Sequence, residues 1–277
     1  QYQFLTDGTA GTYTITYTPT FCGTPATQTI TIALPSTTAG SNSPVCEGDT
    51  LNLTSPAGGS TYTWAGPGNY TANSQNPSRS PVTAAMAGTY NVTVTNASGC
   101  TAASNVVVTV NNAPNATTSG SISICSGNSL QLSASGGVTY NWSGPNAYIG
   151  TGATPTVSAS STAAMSGTYT VTVSNGTCTT TTSQVVNVAP TPTADAGTDQ
   201  SKCSAAAAAV QIGSATVAGN TYLWSPSTGL SNANIANPTA NPSGTTTYTV
   251  TVTSGSGANT CTATDQVLVT VNPSPNI

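Results

Sequence analysis

Gly167-Thr168-Tyr169-Thr170-Val171-Thr172-Val173 is the stretch on which the reading of this chain turns. Its bulky apolar side chains fall on every second residue, the period of a β-strand with one buried face. Tyr169, Val171 and Val173 share one face, and Thr168, Thr170 and Thr172 share the other. Threonine is β-branched and wettable, so it suits the solvent side of a strand. The stretch returns as Gly88-Thr89-Tyr90-Asn91-Val92-Thr93-Val94, as Thr247-Tyr248-Thr249-Val250-Thr251-Val252, and as Gly11-Thr12-Tyr13-Thr14-Ile15-Thr16-Tyr17. Tyr13, Tyr90, Tyr169 and Tyr248 are 77, 79 and 79 residues apart. That period is too long for a solenoid repeat and suits one small sandwich per unit.

Three blocks share one order of features around this strand. Each opens on a cysteine: Val45-Cys46-Glu47-Gly48-Asp49-Thr50-Leu51-Asn52-Leu53, Ile124-Cys125-Ser126-Gly127-Asn128-Ser129-Leu130-Gln131-Leu132, and Lys202-Cys203 leading to Val210-Gln211-Ile212. A Tyr-x-Trp follows (Tyr62 and Trp64, Tyr140 and Trp142, Tyr222 and Trp224), then the tyrosine strand, a second cysteine and a closing strand. Short alternating strands between Gly/Pro/Asn/Ser turns predict an all-β fold of tandem immunoglobulin-like β-sandwich domains, arranged as a rod because the linkers are short. The expected cores hold Trp64 and Tyr90, Trp142 and Tyr169, and Trp224 and Tyr248. The domains are expected at 35–112, 113–190 and 191–277, and residues 1–34 read as the last strands of a further domain. Two strands cannot bury a core alone, so that remnant is expected to be completed upstream or by a neighbouring subunit.

Charge narrows the function. Charged residues are 3% of the chain, against about 25% in an ordinary soluble domain. Arg79 and Lys202 are the only bases, too few for a nucleic-acid footprint. There is no histidine, which removes the usual general base for a serine or threonine nucleophile. No apolar run is long enough for a membrane helix, so no membrane insertion is expected. Sheet edges are normally guarded by charge, proline or bulges. With little charge to place there, self-association into a rod or filament is expected.

The cysteines number seven. Spacing does not fix connectivity, but one bridge per block is the economical expectation: Cys46–Cys100, Cys125–Cys178 and Cys203–Cys261, at separations of 54, 53 and 58 residues. Zinc is disfavoured by the absence of CxxC and histidine. Cys22 is left over, expected to be unpaired here or joined upstream or to another subunit. Disulfides place the chain in an oxidising compartment.

These features together resemble the immunoglobulin-like and PKD-like repeats of secreted surface proteins of Bacteroidota, such as gliding-motility adhesins exported by the type IX pathway. The matching residues are the Cys-x-Gly-Asp/Asn-x-Leu-x-Leu openings at Cys46 and Cys125, the Tyr-x-Trp-x-Gly-Pro runs at Tyr62–Pro67 and Tyr140–Pro145, the Gly-Thr-Tyr strands, and Ala194-Asp195-Ala196-Gly197-Thr198-Asp199-Gln200. Block three departs, with Trp224-Ser225-Pro226 and no Gly-Asp after Cys203. The resemblance implies extracellular, cell-surface display and a structural role as stalk or fibre, without catalysis. The alternatives are a module binding a surface glycan, and an accessory region of a large secreted hydrolase.

Three candidate sites remain. Asp195, Asp199 and Asp265 supply carboxylates that could hold calcium at the junction of blocks two and three, against the simpler reading of hydrogen-bonded turns; no other cofactor is expected. Asp49-Thr50-Leu51 resembles the Asp-Ser/Thr-aliphatic acceptor of Bacteroidota O-glycosylation, marking Thr50. Tyr70 and Tyr148, in Gly-Pro loops, either touch a partner or cover the end of a sandwich.

Overall fold

A computed structural model describes residues 10–18, 23–204, 208–255 and 260–273. Gln1–Ala113 and Pro114–Ile277 form two compact units. Cys22 lies outside the described residues. The chain is all-β: the strands follow the predicted alternation, and among the described residues the helical elements are single 3-10 turns at Ala84–Met86, Pro145–Ala147 and Ala163–Met165.

Block two shows the repeat most fully. Its larger sheet runs Ile122–Cys125, Thr179–Ala189, Gly167–Ser174, Thr139–Gly144, Tyr148–Thr151. The first pair is parallel, with Cys125 opposite Ala189, and the rest are antiparallel. The opposing layer pairs Thr117–Thr118 with Ala134–Ser135 and Leu130–Gln131 with Thr156–Ser158. A short first strand that leaves one sheet to pair parallel with the closing strand, over a two-sheet core, is the immunoglobulin-like arrangement. Blocks one and three repeat it. Val45–Cys46 pairs parallel with Val110–Asn111, and Gln200–Cys203 pairs parallel with the end of Cys261–Asn272. Ahead of block one, Gly11–Tyr17 pairs antiparallel with Ala26–Ile32, in register from Gly11 opposite Ile32 to Tyr17 opposite Ala26.

The six expected core aromatics are buried, and each Trp–Tyr pair belongs to a separate core. In block two Trp142 and Tyr169 pack with Leu130, Leu132, Val171 and Val173. A buried indole N–H needs an acceptor. Trp64 donates to the Gln75 carbonyl at 3.3 Å, Trp142 to Gly152 at 3.0 Å and Trp224 to Ile235 at 2.9 Å. The buried tyrosines likewise bond backward: Tyr90 donates to Met86 O and Tyr169 to Met165 O, both at 3.0 Å. This four-residue reach is the tyrosine corner of immunoglobulin-like sandwiches.

The corner explains the motifs. A Cβ added to Gly66 or Gly144 would collide with the Tyr90 or Tyr169 ring. The following proline leans on the glycine that opens the tyrosine strand: a Cβ on Gly88 would lie 2.9 Å from Pro67, and one on Gly167 2.8 Å from Pro145. Gly88 and Gly167 also hold φ of 136° and 142°, a region other residues rarely adopt. Trp-x-Gly-Pro and Gly-Thr-Tyr are thus two halves of one interlock. Block three has Pro226 where Gly66 and Gly144 stand and Thr246 where Gly88 and Gly167 stand, and its tyrosine binds elsewhere: Tyr248 donates to Thr228 O at 2.8 Å.

Burial pushes the Tyr169 phenol above its ordinary pKa, the Tyr148 phenol beside it adds to the rise, and burial does the same for Tyr248. A raised folded-state pKa means the fold favours the protonated phenol. The stability this contributes is complete below the ordinary phenol value of about 10 and is lost as pH rises through the folded value. An alkaline titration followed at 295 nm is therefore expected to show these phenols ionising late, in one step with loss of the β-sheet circular dichroism. Smooth early ionisation with the sheet intact would contradict the corner.

Candidate functional site

The handover from block two to block three lies within Pro114–Ile277. The closing strand ends at Ala189, whose carbonyl accepts the Ser126 amide at 2.8 Å. Thr191 Oγ1 donates to Ser126 O at 2.7 Å, and Ser254 Oγ of block three donates to Pro190 O at 3.3 Å. Across this seam Cys125 is disulfide-bonded to Cys261, 136 residues on, with Cα atoms 5.6 Å apart.

This overturns the expected pairing of one bridge per block. Cys125 bonds Cys261 rather than Cys178, and Cys100 and Cys203 are free thiols, so neither Cys46–Cys100 nor Cys203–Cys261 forms. Cys46 and Cys178 are also disulfide-bonded. The reason is strand length. Cys46, Cys125 and Cys203 sit opposite Asn111, Ala189 and Asn272, at the trailing end of the closing strand. Cys100, Cys178 and Cys261 stand at its leading end, eleven residues earlier in each case. At roughly 3.3 Å per residue the two cysteines of a block lie ~36 Å apart along the strand, and a disulfide spans a Cα separation of about 7 Å at most. The first cysteine of block two can therefore meet the second cysteine of block three, and cannot meet its own.

The acidic residues serve the backbone. Asp265 accepts the Ala196 amide at 2.8 Å, Asp199 the Leu268 amide at 2.9 Å and Asp195 the Gly197 amide at 2.9 Å. Among the described residues no group of three His, Cys, Asp or Glu side chains is placed to hold a metal ion. In block one Glu47 accepts the amide of Ala84, the first residue of a 3-10 turn, at 3.0 Å, and Asp49 accepts the Cys46 amide at 3.3 Å. Thr50 is exposed beside this turn and donates to Ser80 Oγ at 3.1 Å.

Tyr70 and Tyr148 are half-buried and pack edge-on against the core rings, Tyr70 at 5.7 Å from Tyr90 and Tyr148 at 5.5 Å from Tyr169. Arg79 lies 4.5 Å over the Tyr70 ring and donates to the Tyr90 hydroxyl at 2.6 Å. One of the two bases is thus spent closing a sandwich end. Lys202, the other, is buried and donates to Asn241 Oδ1. Among the described residues no helix is long and apolar enough to cross a membrane.

No family model matches this chain, and no curated protein matches it. Solved structures of tandem domains do. The three N-terminal domains of the bacteriophage RB49 Highly Immunogenic Outer Capsid protein are 18% identical at a TM-score of 0.43, over 85% of this chain and 99% of that one. An I-band fragment of titin is 12% identical at 0.39, over 82% and 94%. The N-terminal eight Ig domains of Down Syndrome Cell Adhesion Molecule are 13% identical at 0.35, over 95% of this chain and 38% of that one.

Proposed function

We propose that this chain is a structural repeat region of an extracellular surface adhesin or filament, a stalk that carries tension without catalysing a reaction. The observation that carries this is the direction of the disulfide. A bridge within a sandwich would protect that sandwich alone. Cys125–Cys261 instead joins consecutive repeats, so tension arriving at Cys125 passes to Cys261 and bypasses the chain between them. A disulfide formed in an oxidising compartment fits a secreted stalk. The recurring Cys-x-Gly, Tyr-x-Trp and Gly-Thr-Tyr motifs support a place among Bacteroidota surface repeats. The threonine-rich faces and scarce charge leave little repulsion between neighbouring rods.

Force spectroscopy on the oxidised and reduced chain, held by its two ends, tests the reading. The stapled segment holds 136 residue steps, which at ~3.5 Å each hide roughly 480 Å of contour length. The oxidised chain is expected to release at least that much less length than the reduced one, since reduction also opens the bonds of Cys46 and Cys178. Equal release in both would remove the stalk reading.

A further inference from the structure

Cys203 occupies in block three the place that Cys125 occupies in block two. Each ends a short strand paired parallel with the trailing end of the closing strand, Cys203 opposite Asn272 and Cys125 opposite Ala189. The amide after each makes the same bond, Ser204 to Asn272 O and Ser126 to Ala189 O, both at 2.8 Å. The backbone therefore presents the two sulfurs alike. Cys125 is engaged by the second cysteine of the repeat that follows it, while Cys203 is an exposed thiol. Cys100 repeats the case from the other side. It immediately precedes the closing strand of block one, next to the Thr101–Thr95 pair, as Cys261 opens that of block three opposite Ser254, and it too is free.

We propose that Cys203 forms an inter-repeat disulfide with the second-position cysteine of another immunoglobulin-like repeat, seated on the trailing end of block three as block three is seated on block two. Cys100 takes the complementary part, with the first-position cysteine of a repeat seated on the leading end of block one. The inference rests on the stalk reading and deepens it: the bond at Cys125–Cys261 becomes one rung of a ladder that continues beyond these blocks. The partner is defined by its chemistry. It carries a thiol at the start of a closing strand, within a hairpin whose tip can hydrogen-bond the linker as Ser254 does Pro190. Two sources meet that description. One is a further repeat of the same polypeptide. The other is a second copy of this chain, whose free Cys100 immediately precedes a closing strand and whose Cys22 follows a Gly-Thr-Tyr run in the sequence. Each new bond joins two Sγ atoms and releases two protons and two electrons. A disulfide-bearing thiol oxidant accepts them and leaves as the dithiol, the same chemistry that makes Cys125–Cys261 in an oxidising compartment.

The test uses native material, blocked with iodoacetamide before any reduction, digested and analysed by mass spectrometry under non-reducing conditions. The expected result is a Cys203 peptide joined to a peptide whose cysteine follows a Gly-Thr-Tyr strand. A Cys22 or Cys100 peptide there, with doubled mass on a non-reducing gel that Cys203→Ser abolishes, assigns the partner to a second copy. A sequence that this chain does not contain assigns it to a further repeat. Cys203 recovered alkylated, bonded to a small thiol, or bonded to a peptide without the repeat motif overturns the proposal. Electron micrographs of the same sample separate the two failures. Rods with an alkylated Cys203 sink the rung and keep the stalk; a bonded Cys203 in compact, non-linear particles sinks the stalk.

Discussion

Replacing both Cys125 and Cys261 by serine is expected to lower the unfolding free energy of blocks two and three by roughly 4–5 kcal/mol. The double change avoids leaving a new free thiol in place of the bond. Its size follows from the loop that the bond closes in the unfolded chain. If both sandwiches unfold, the bond spans 136 residues. If block two alone unfolds, the loop still runs from Cys125 to the folded strand Gln200–Cys203. Because closure entropy grows only with the logarithm of loop length, the two cases differ by a few tenths of a kcal/mol. The staple therefore steadies each sandwich even while the other is open. Amide hydrogen exchange measures this block by block, since its protection reports local as well as global opening. Protection is expected to fall in both blocks and to hold in Leu51–Thr95 of block one. A fall below ~1 kcal/mol in blocks two and three would show that the bond joins the repeats without stabilising them.

The core was legible in the sequence because it is written locally. Alternation at Tyr169, Val171 and Val173 states which side chains share a face, and all three are fully buried. One Trp and one Tyr per block sit where that pattern puts them. The disulfides were not legible, because they depend on a non-local register. Nothing near Cys125 states that its strand pairs parallel with Ala189 instead of lying near Cys178. Yet one signal was on the page: the interval from the second cysteine to the end of the closing strand is the same in every block, which marks a rigid spacer. Another was the recurring Ala84-Ala85-Met86 and Ala163-Ala164-Met165 just before the tyrosine strands. These runs form the 3-10 turns whose Met carbonyls accept the tyrosine hydroxyls, and block three, which lacks such a run, has a different corner. The acidic residues pointed to possible chemistry; in the structure they accept backbone amides. The amide that Glu47 accepts belongs to a residue 37 positions away, a distance no local motif encodes.

Trp142→Ala is expected to cost block two about 3–5 kcal/mol. The indole is 2% exposed and packs among Leu130, Leu132 and Val171, so its removal loses burial and opens a cavity between rigid sheets. It also removes the indole N–H bond to the Gly152 carbonyl, worth about 1 kcal/mol. A sandwich of about 75 residues holds on the order of 4–11 kcal/mol in total, so the substitution removes a large share of it. The damage should stay in one block. The core around Trp142 and the core around Trp224 have no residue in common, and the seam between them is held by a disulfide and a few hydroxyl bonds rather than by shared apolar packing. Block two is therefore expected to lose hydrogen-exchange protection while Thr246–Ser254 in block three keeps most of its own. The surviving difference is the staple's share, because an open block two still tethers Cys261 through a long loop. Trp142→Phe, which keeps most of the buried area but not the N–H, should cost roughly half as much or less. If block three opens as fully as block two, the two sandwiches fold as one unit, and the seam carries far more energy than its contacts account for.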